Sequence, residues 1–198
     1  MSVINVYELT GESKQIYNDL KKFYDTFSNQ FPSYMDKIIK IIRSKYKIIH
    51  HDKCYKLSLR FLDEFITRYC NYYKIIISVN TPYVKNDLFN IFIQYQARLS
   101  SHHKDYFDPF KRIRICDKIE FTTNNFTFIT TLCQLNFFKW FIENDIIGYI
   151  ENNFDTIISK KKIVDDFYCK KKKDKKIKSN NSSLSSDNFT ERSFMLEI

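Results

Sequence analysis

Glycine is almost missing. Of 198 residues only Gly11 and Gly148 are glycine, and proline is confined to Pro32, Pro82 and Pro109. A loop that wraps a phosphate in backbone N–H groups needs several glycines, so no nucleotide cradle is encoded. The G-x-S-x-G elbow of serine hydrolases and the H-E-x-x-H zinc helix are absent as well. The five cysteines, at 54, 70, 116, 133 and 169, are odd in number and form no CxxC. They fit reduced thiols packed as small hydrophobes better than a disulfide framework. No apolar run nears the ~18 residues that cross a bilayer, and MSVINVYELTGESK has neither the basic nor the apolar region of a secretory signal. The reading is a soluble, intracellular protein with no membrane span, no cofactor and no enzymatic constellation. The Asn-x-Ser/Thr triplets at 125, 180, 181 and 188 then carry no meaning.

Aromatic residues, 17% of the chain, supply ample core material, and the length suits one domain with a tail. After an extended start at Val3-Ile4 and Val6, the residues Ile16, Leu20, Phe23 and Phe27 share one face of a helix over about 12–29. Phe31-Pro32 ends it. Ser33 with Asp36 predicts a capping box for a second helix, with Tyr34, Ile38, Ile41 and Ile49 inside. His50 to Lys53 is a polar break, and Phe61, Leu62, Phe65, Ile66, Tyr69 and Tyr73 place a third helix over 55–73. Lys74 to Val79 predicts a buried strand. Asn86 or Asp87 caps a fourth helix, with Leu88, Ile91, Phe92, Tyr95 and Leu99 on its inner face.

The densest apolar stretch runs from Lys104 to Asn153 and holds Trp140, the single tryptophan. Arg112 to Ile115 alternates charged and apolar residues, as a strand with one wet face does. Ile119 to Thr122 and Phe126 to Ile129 flank Asn124-Asn125, a pair that tolerates the left-handed turn of a tight hairpin. Thr131 and Gln134 predict a capping box opening a helix whose buried face is Leu135, Phe138, Ile142 and Ile146, with Phe141 beside them. A break at Asn144-Asp145 and a second helix toward Ile158 follow. The fold class is α+β: a helix-dominated single domain over 1–165, with a small antiparallel sheet and a sub-boundary near 100–106. Residues 166–198 form a disordered Lys/Ser-rich tail.

Three segments carry a resemblance: FNIFIQYQARL (Phe89 to Leu99), YFDPFKRIRI (Tyr106 to Ile115) and TTLCQLNFFKWFIENDIIGYI (Thr130 to Ile150). Together they resemble a family of uncharacterised proteins encoded by giant DNA viruses of the mimivirus type. Lys111 stands where that pattern has a cysteine, and Cys133 where it has a glycine. The resemblance implies a viral origin, in host cytoplasm, viral factory or virion, and carries over no catalytic residue.

Lysine gives the strongest functional signal. Residues 160–178 hold ten lysines against three aspartates, most of the chain's net charge of +9. Lys170, Lys171, Lys172, Lys173, Lys175, Lys176 and Lys178 suit a nonspecific phosphate anchor, an import signal or a solubilising tail. Lys111, Arg112 and Arg114 lie near Tyr106, Phe107 and Phe110. Such a pairing of cations and rings holds single strands, although the rings read more readily as core and the charges as a solvated strand face. His50, His51 and Cys54 have the spacing of half a zinc site, whose other half would have to come from His102, His103 or Cys116. The carboxylate pairs Asp63-Glu64 and Asp165-Asp166 diverge on any regular element, and Asp108 before Pro109 is a turn former. The function read from this is a non-enzymatic viral accessory protein acting through protein contacts, its basic tail binding nucleic acid. A packaged virion protein and an unrecognised enzyme are the alternatives.

Overall fold

The computed structural model describes residues 3–85, 87–101, 106–111 and 118–184. Strand β1 (Val3–Ile4) and a 3₁₀ turn over Val6–Glu8 lead into helices α1 (Gly11–Gln30) and α2 (Pro32–Ile42). Gly11 turns the chain into α1 with φ +53°, a left-handed conformation that costs glycine nothing. The break at Phe31-Pro32 is where the sequence put it, but the expected Ser33 cap is not used. Pro32 itself starts α2, since a residue without an N–H loses nothing in the first turn. Leu20, Tyr24 and Phe27 of α1 and Met35, Ile38, Ile39 and Ile41 of α2 are buried. Ile49 is a correction: α2 stops at Ile42, and Ile49 lies 80% exposed on a strand.

That strand, β2 (Lys47–His50), pairs antiparallel with β3 (Lys53–Lys56). The polar break is their hairpin turn, with His51 at φ 46° and Asp52 at φ 59°; two successive positive φ values match the right-handed twist of the strands. Ser58 then caps α3 (Leu59–Glu64), its Oγ accepting the Phe61 N–H at 3.3 Å. The single helix expected over 55–73 thus starts later, and it passes through a π-helical stretch, Phe65–Cys70, before α4 (Asn71–Tyr73). Strand β4 (Ile76–Val79) buries only Ile77 and Val79, and it pairs with β5 (Asp87–Asn90). Asp87 is therefore a strand residue, Asn86 lies outside the described residues, and Asn90 caps α5 (Ile91–Ser100) by accepting the Ile93 N–H at 3.0 Å. Leu88, expected inside, is 70% exposed.

The hairpin around Asn124-Asn125 joins β6 (Lys118–Thr122) to β7 (Thr127–Thr130), and β1 adds parallel to β6. Neither asparagine turns left-handed. Thr123 closes the loop instead, its N–H donating to the Phe126 carbonyl at 2.8 Å and its hydroxyl accepting the Phe126 N–H at 3.2 Å. The fold is α+β and helix-dominated, although its strands form three small sheets of which one is mixed. The expected strand over Arg112 to Ile115 lies outside the described residues.

Helix α6 (Leu132–Glu143) occupies the centre. Thr131 caps it, accepting the Gln134 N–H at 3.1 Å, while the Gln134 side chain takes a hydrogen bond from Thr130 rather than reaching back. Leu132, Cys133, Leu135, Phe137, Phe138, Trp140, Phe141 and Ile142 are all buried. Cys133 is disulfide-bonded, which corrects the expectation that every thiol is reduced; an odd total still leaves room for a pair. Asp145, at φ 46°, separates α6 from α7 (Ile146–Asn152), and α8 (Phe154–Leu184) follows after Asn153. The backbone of α8 carries helix well past Asp165, where the sequence set the body's limit, and residues 185–198 lie outside the described residues. Lysine is a good helix former, and a docked first half removes the cost of nucleation for the rest.

Two outcomes follow from this core. Trp140 is 3% exposed amid Tyr95, Phe107 and Phe141. Its replacement by alanine should lower unfolding free energy by about 3–5 kcal/mol, measured by denaturant titration; an unchanged midpoint would reject this packing. Gly148 leaves no room for a side chain unless Asp145 shifts, because a Cβ there would meet the Asp145 carboxylate. Alanine ordinarily adds about 1 kcal/mol inside a helix, yet Gly148→Ala should lower the melting temperature by pushing that carboxylate off the start of α7.

Candidate nucleic-acid interface

Helix α8 has two faces. Phe154, Ile157 and Val164 are buried, and Tyr168 donates from its hydroxyl to the Thr67 carbonyl at 3.4 Å, so this face packs along α3 and the π-helical stretch. An ion-pair network fastens the same seam. Arg68 Nη1 lies 3.3 Å from Asp165 Oδ1, Lys161 Nζ lies 3.2 Å from Asp165 and 3.8 Å from Glu64, and Arg60 reaches Glu64 at 3.4 Å. Five groups sharing partners, of which Glu64, Arg68 and Asp165 are partly buried, hold orientation better than isolated pairs do. Both sequence carboxylate pairs are thereby split: Glu64 and Asp165 serve the seam, while Asp63 accepts from Tyr95 and Asp166 is exposed.

The outer face is basic. Lys160, Lys162, Lys170, Lys171, Lys172 and Lys173 are exposed and, among the described residues, in no ion pair with a carboxylate. Lys160, Ile163, Phe167 and Lys171 fall at steps of three and four, which is one stripe of the helix. Beside that stripe stands α4. The Phe167 ring is 4.9 Å from Tyr72, Tyr72 is 4.8 Å from Tyr73, and Lys160 Nζ sits 4.9 Å above the Tyr73 ring, with Lys171 5.9 Å above Phe167. Phe167 is 42% and Tyr72 36% exposed. Sequence reading found the lysines and missed the rings. Phe167 interrupts the basic run at helical spacing and so was a usable signal; the contact with a Tyr-Tyr pair 95 residues earlier was not.

The remaining sequence-predicted residues do not converge. The side chains of Lys175, Lys176 and Lys178, and all of Arg112 and Arg114, lie outside the described residues. Tyr106 and Phe107 are core, Phe107 packed with Tyr95, Phe137 and Trp140, whereas Phe110 is exposed and Lys111 half-buried with an interaction partner of its own. Asp108 accepts the Phe110 N–H at 2.9 Å, which closes the turn. His50 Nδ1 lies 2.9 Å from Asp155 Oδ1, His51 stands at the hairpin turn, and Cys54 is exposed opposite Ile49. His102, His103 and Cys116 lie outside the described residues. Among the described residues no group of three or more His, Cys, Asp or Glu could hold a metal ion, and no helix is long and apolar enough to cross a membrane.

Other polar clusters tie elements together. Glu151 takes Lys37 at 2.7 Å and the Tyr46 hydroxyl, linking α7 to α2 and to the approach to β2. Burial pushes the Tyr34 hydroxyl's pKa far up, with the Asp145 carboxylate adding to it. Asp63 accepts from the Tyr95 hydroxyl at 3.2 Å, and burial pushes its pKa above the ordinary 3.8, the charges of Asp108 and Glu64 adding to the rise. A carboxyl raised in the folded state is penalised once it ionises. The penalty is absent below pH 3.8, grows as pH rises to the higher folded pKa, and stays constant above it. Asp63→Asn, which can still accept from Tyr95, should therefore raise the melting temperature at neutral pH, with the gain fading toward pH 3; a uniform gain would assign it to something other than charge.

Residues 4–194 match a family described as a family of unknown function, DUF7197. The chain is 32% identical over 152 residues to "Uncharacterized protein L507" of Acanthamoeba polyphaga mimivirus, an alignment covering 74% of this chain and 52% of that protein. The chain thus spans about half the length of the curated relative it matches. No solved structure matches. The giant-virus resemblance of the three segments stands, and with nearly its whole length matched the chain belongs to the DUF7197 family of unknown function.

Proposed function

We propose that this chain is a non-enzymatic accessory protein of a giant virus that binds nucleic acid electrostatically through the outer face of α8. The observation that supports it is the set of six exposed lysines on α8 held by no carboxylate among the described residues. Ammonium groups already paired would gain little from a phosphate. Free ones release condensed counterions when they meet a polyanion, and that release drives binding without reading sequence. The seam of Arg68, Lys161, Glu64 and Asp165 then has the role of presenting the helix rigidly. The titratable groups elsewhere serve architecture: Asp63 holds Tyr95, Glu151 holds Lys37, and His50 meets Asp155. In this reading the body makes protein contacts through the outer face of β4 and β5, where Ile76 and Leu88 stand 64% and 70% exposed.

The test leaves α8 in place, because cutting the chain before it would strip Ile157, Val164 and Tyr168 from the body. Lys170, Lys171, Lys172 and Lys173 are replaced together by glutamine, and binding of the full chain to labelled DNA and RNA is followed from 50 to 300 mM salt. The wild type should bind with a steep salt slope. The variant's slope should be shallower by about 3, at ~0.7–0.9 per lost phosphate contact. Equal slopes for the two proteins, or no binding by the wild type, would overturn the proposal.

A further inference from the structure

The lysines account for attraction to any polyanion; they do not account for the rings among them. Tyr72, Tyr73 and Phe167 form a contiguous aromatic surface, 4.8 and 4.9 Å between successive centroids, at the junction of α4 and α8. Large exposed rings are costly to leave in water; Tyr73 packs back on the buried Tyr69 at 4.9 Å, whereas Tyr72 and Phe167 stand outside the buried core. Lys160 and Lys171 stand over the two ends of the surface, about 16 Å apart along the helix at 1.5 Å per residue. Cations flanking rings on one stripe make the arrangement that grips a nucleic-acid strand whose bases are unpaired: phosphates go to the lysines, base faces to the rings.

We infer that the α4–α8 junction is a stacking platform for single-stranded nucleic acid, Phe167 and Tyr72 each receiving a base face while Lys160 and Lys171 meet the adjoining phosphates. This rests on the polyanion reading above and adds the substrate class. A duplex keeps its base faces inside the helical stack and offers phosphates and groove edges, so it can use the lysines but not the rings. An anionic lipid surface likewise offers charge without flat partners for the rings. Phe167 is the discriminating residue: it is 42% exposed, it touches Tyr72 and Tyr168, and it belongs to no ion-pair network.

The experiment compares anisotropy titrations of the full chain with a labelled 20-nucleotide poly(dT), a 20-base-pair duplex and phosphatidylserine vesicles, at one salt concentration. Phe167→Leu keeps apolar bulk without an aromatic face, and Phe167→Tyr keeps the face; Tyr72→Leu and Tyr72→Phe repeat the contrast on the facing ring. The expected result is tighter binding of the single strand than of the duplex. Phe167→Leu should lose about tenfold for the single strand with duplex affinity unchanged, and Phe167→Tyr should restore it. Equal single-strand and duplex affinities that Phe167→Leu leaves alone would overturn the stacking inference while sparing the lysine reading. Binding to vesicles but to neither nucleic acid would overturn both. Circular dichroism melts accompany each variant, and a Leu variant that melts early is replaced by Phe167→Met.

Discussion

A twelve-residue helix that leaves only a half-buried polar stripe, Asn136, Lys139 and Glu143, toward solvent has to be covered on its other sides, and that requirement arranges the rest of the molecule. Helix α6 is buried at eight of its twelve positions, so its lining comes from almost everywhere in the chain. From α1, Tyr24 is fully buried and donates its hydroxyl to the Leu135 carbonyl at 2.7 Å. From α5, Tyr95 packs on Phe137 and Trp140, and Phe107 before the turn joins the same two rings. Edge-to-face and tilted contacts of this kind contribute about 0.5–1.5 kcal/mol each beyond simple burial. The aromatic richness of the sequence is spent largely here, and Phe107 of the FDPF segment with Leu135, Phe137 and Phe138 of the QLNFF segment are parts of this packing.

Covering most of one helix with short elements requires many sharp reversals, and a chain with two glycines has few residues suited to them. Ser44, His51, Asp52, Lys74 and Asp145 all adopt positive φ without being glycine. Each such position costs on the order of 1 kcal/mol, less for Asp, whose short polar side chain bonds locally. The positions are the end of α2, the tip of the β2–β3 hairpin, the end of α4 and the junction of α6 with α7. The glycine at 148 is used differently, for the close approach of Asp145. A composition poor in glycine has thus been accommodated by strain at turns that the surrounding packing holds in place.

The elements legible in the sequence were those whose burial repeats at a fixed step. Helix α1, the hairpin around Asn124 and helix α6 declare themselves because Leu20, Phe128 and Phe138 recur with their neighbours at helical or strand spacing, whereas β4, expected to be buried from its β-branched run, is buried on one face only. The misses have separate causes. His50 to Lys53 looked like a break because every residue is polar, yet polar residues at positive φ are what a type I′ turn requires. Asp87 looked like a helix cap because aspartate usually is one; pairing with β4 claimed it for a strand, and the cap passed to Asn90 three residues on. The Tyr72, Tyr73 and Phe167 surface was invisible for a different reason: its parts lie far apart in sequence, and nothing local couples them. Only the docking of α8 beside α4 makes it one feature.

That docking also explains why a lysine run is presented as a helix. In isolation, like charges three and four residues apart in 170–173 and beyond oppose helix formation by about 0.2–0.5 kcal/mol per pair, and a helix of this composition would nucleate poorly. Phe154, Ile157, Val164 and Tyr168 provide the nucleus, and the pairing of Lys161 with Glu64 and Asp165 removes one of the repelling charges. Beyond Tyr168 the exposed Lys170, Lys171, Lys172 and Lys173 follow one another, so like-charge repulsion along the helix is strong there. At physiological salt the charges act over about 8 Å, far enough for each lysine to feel its neighbours along the helix. A polyanion laid on this face would remove that repulsion as it binds. On the proposed reading, binding at Lys170 to Lys173 would thus be coupled to helix stability there: the charge that opposes the helix is the charge that a nucleic-acid backbone would neutralise.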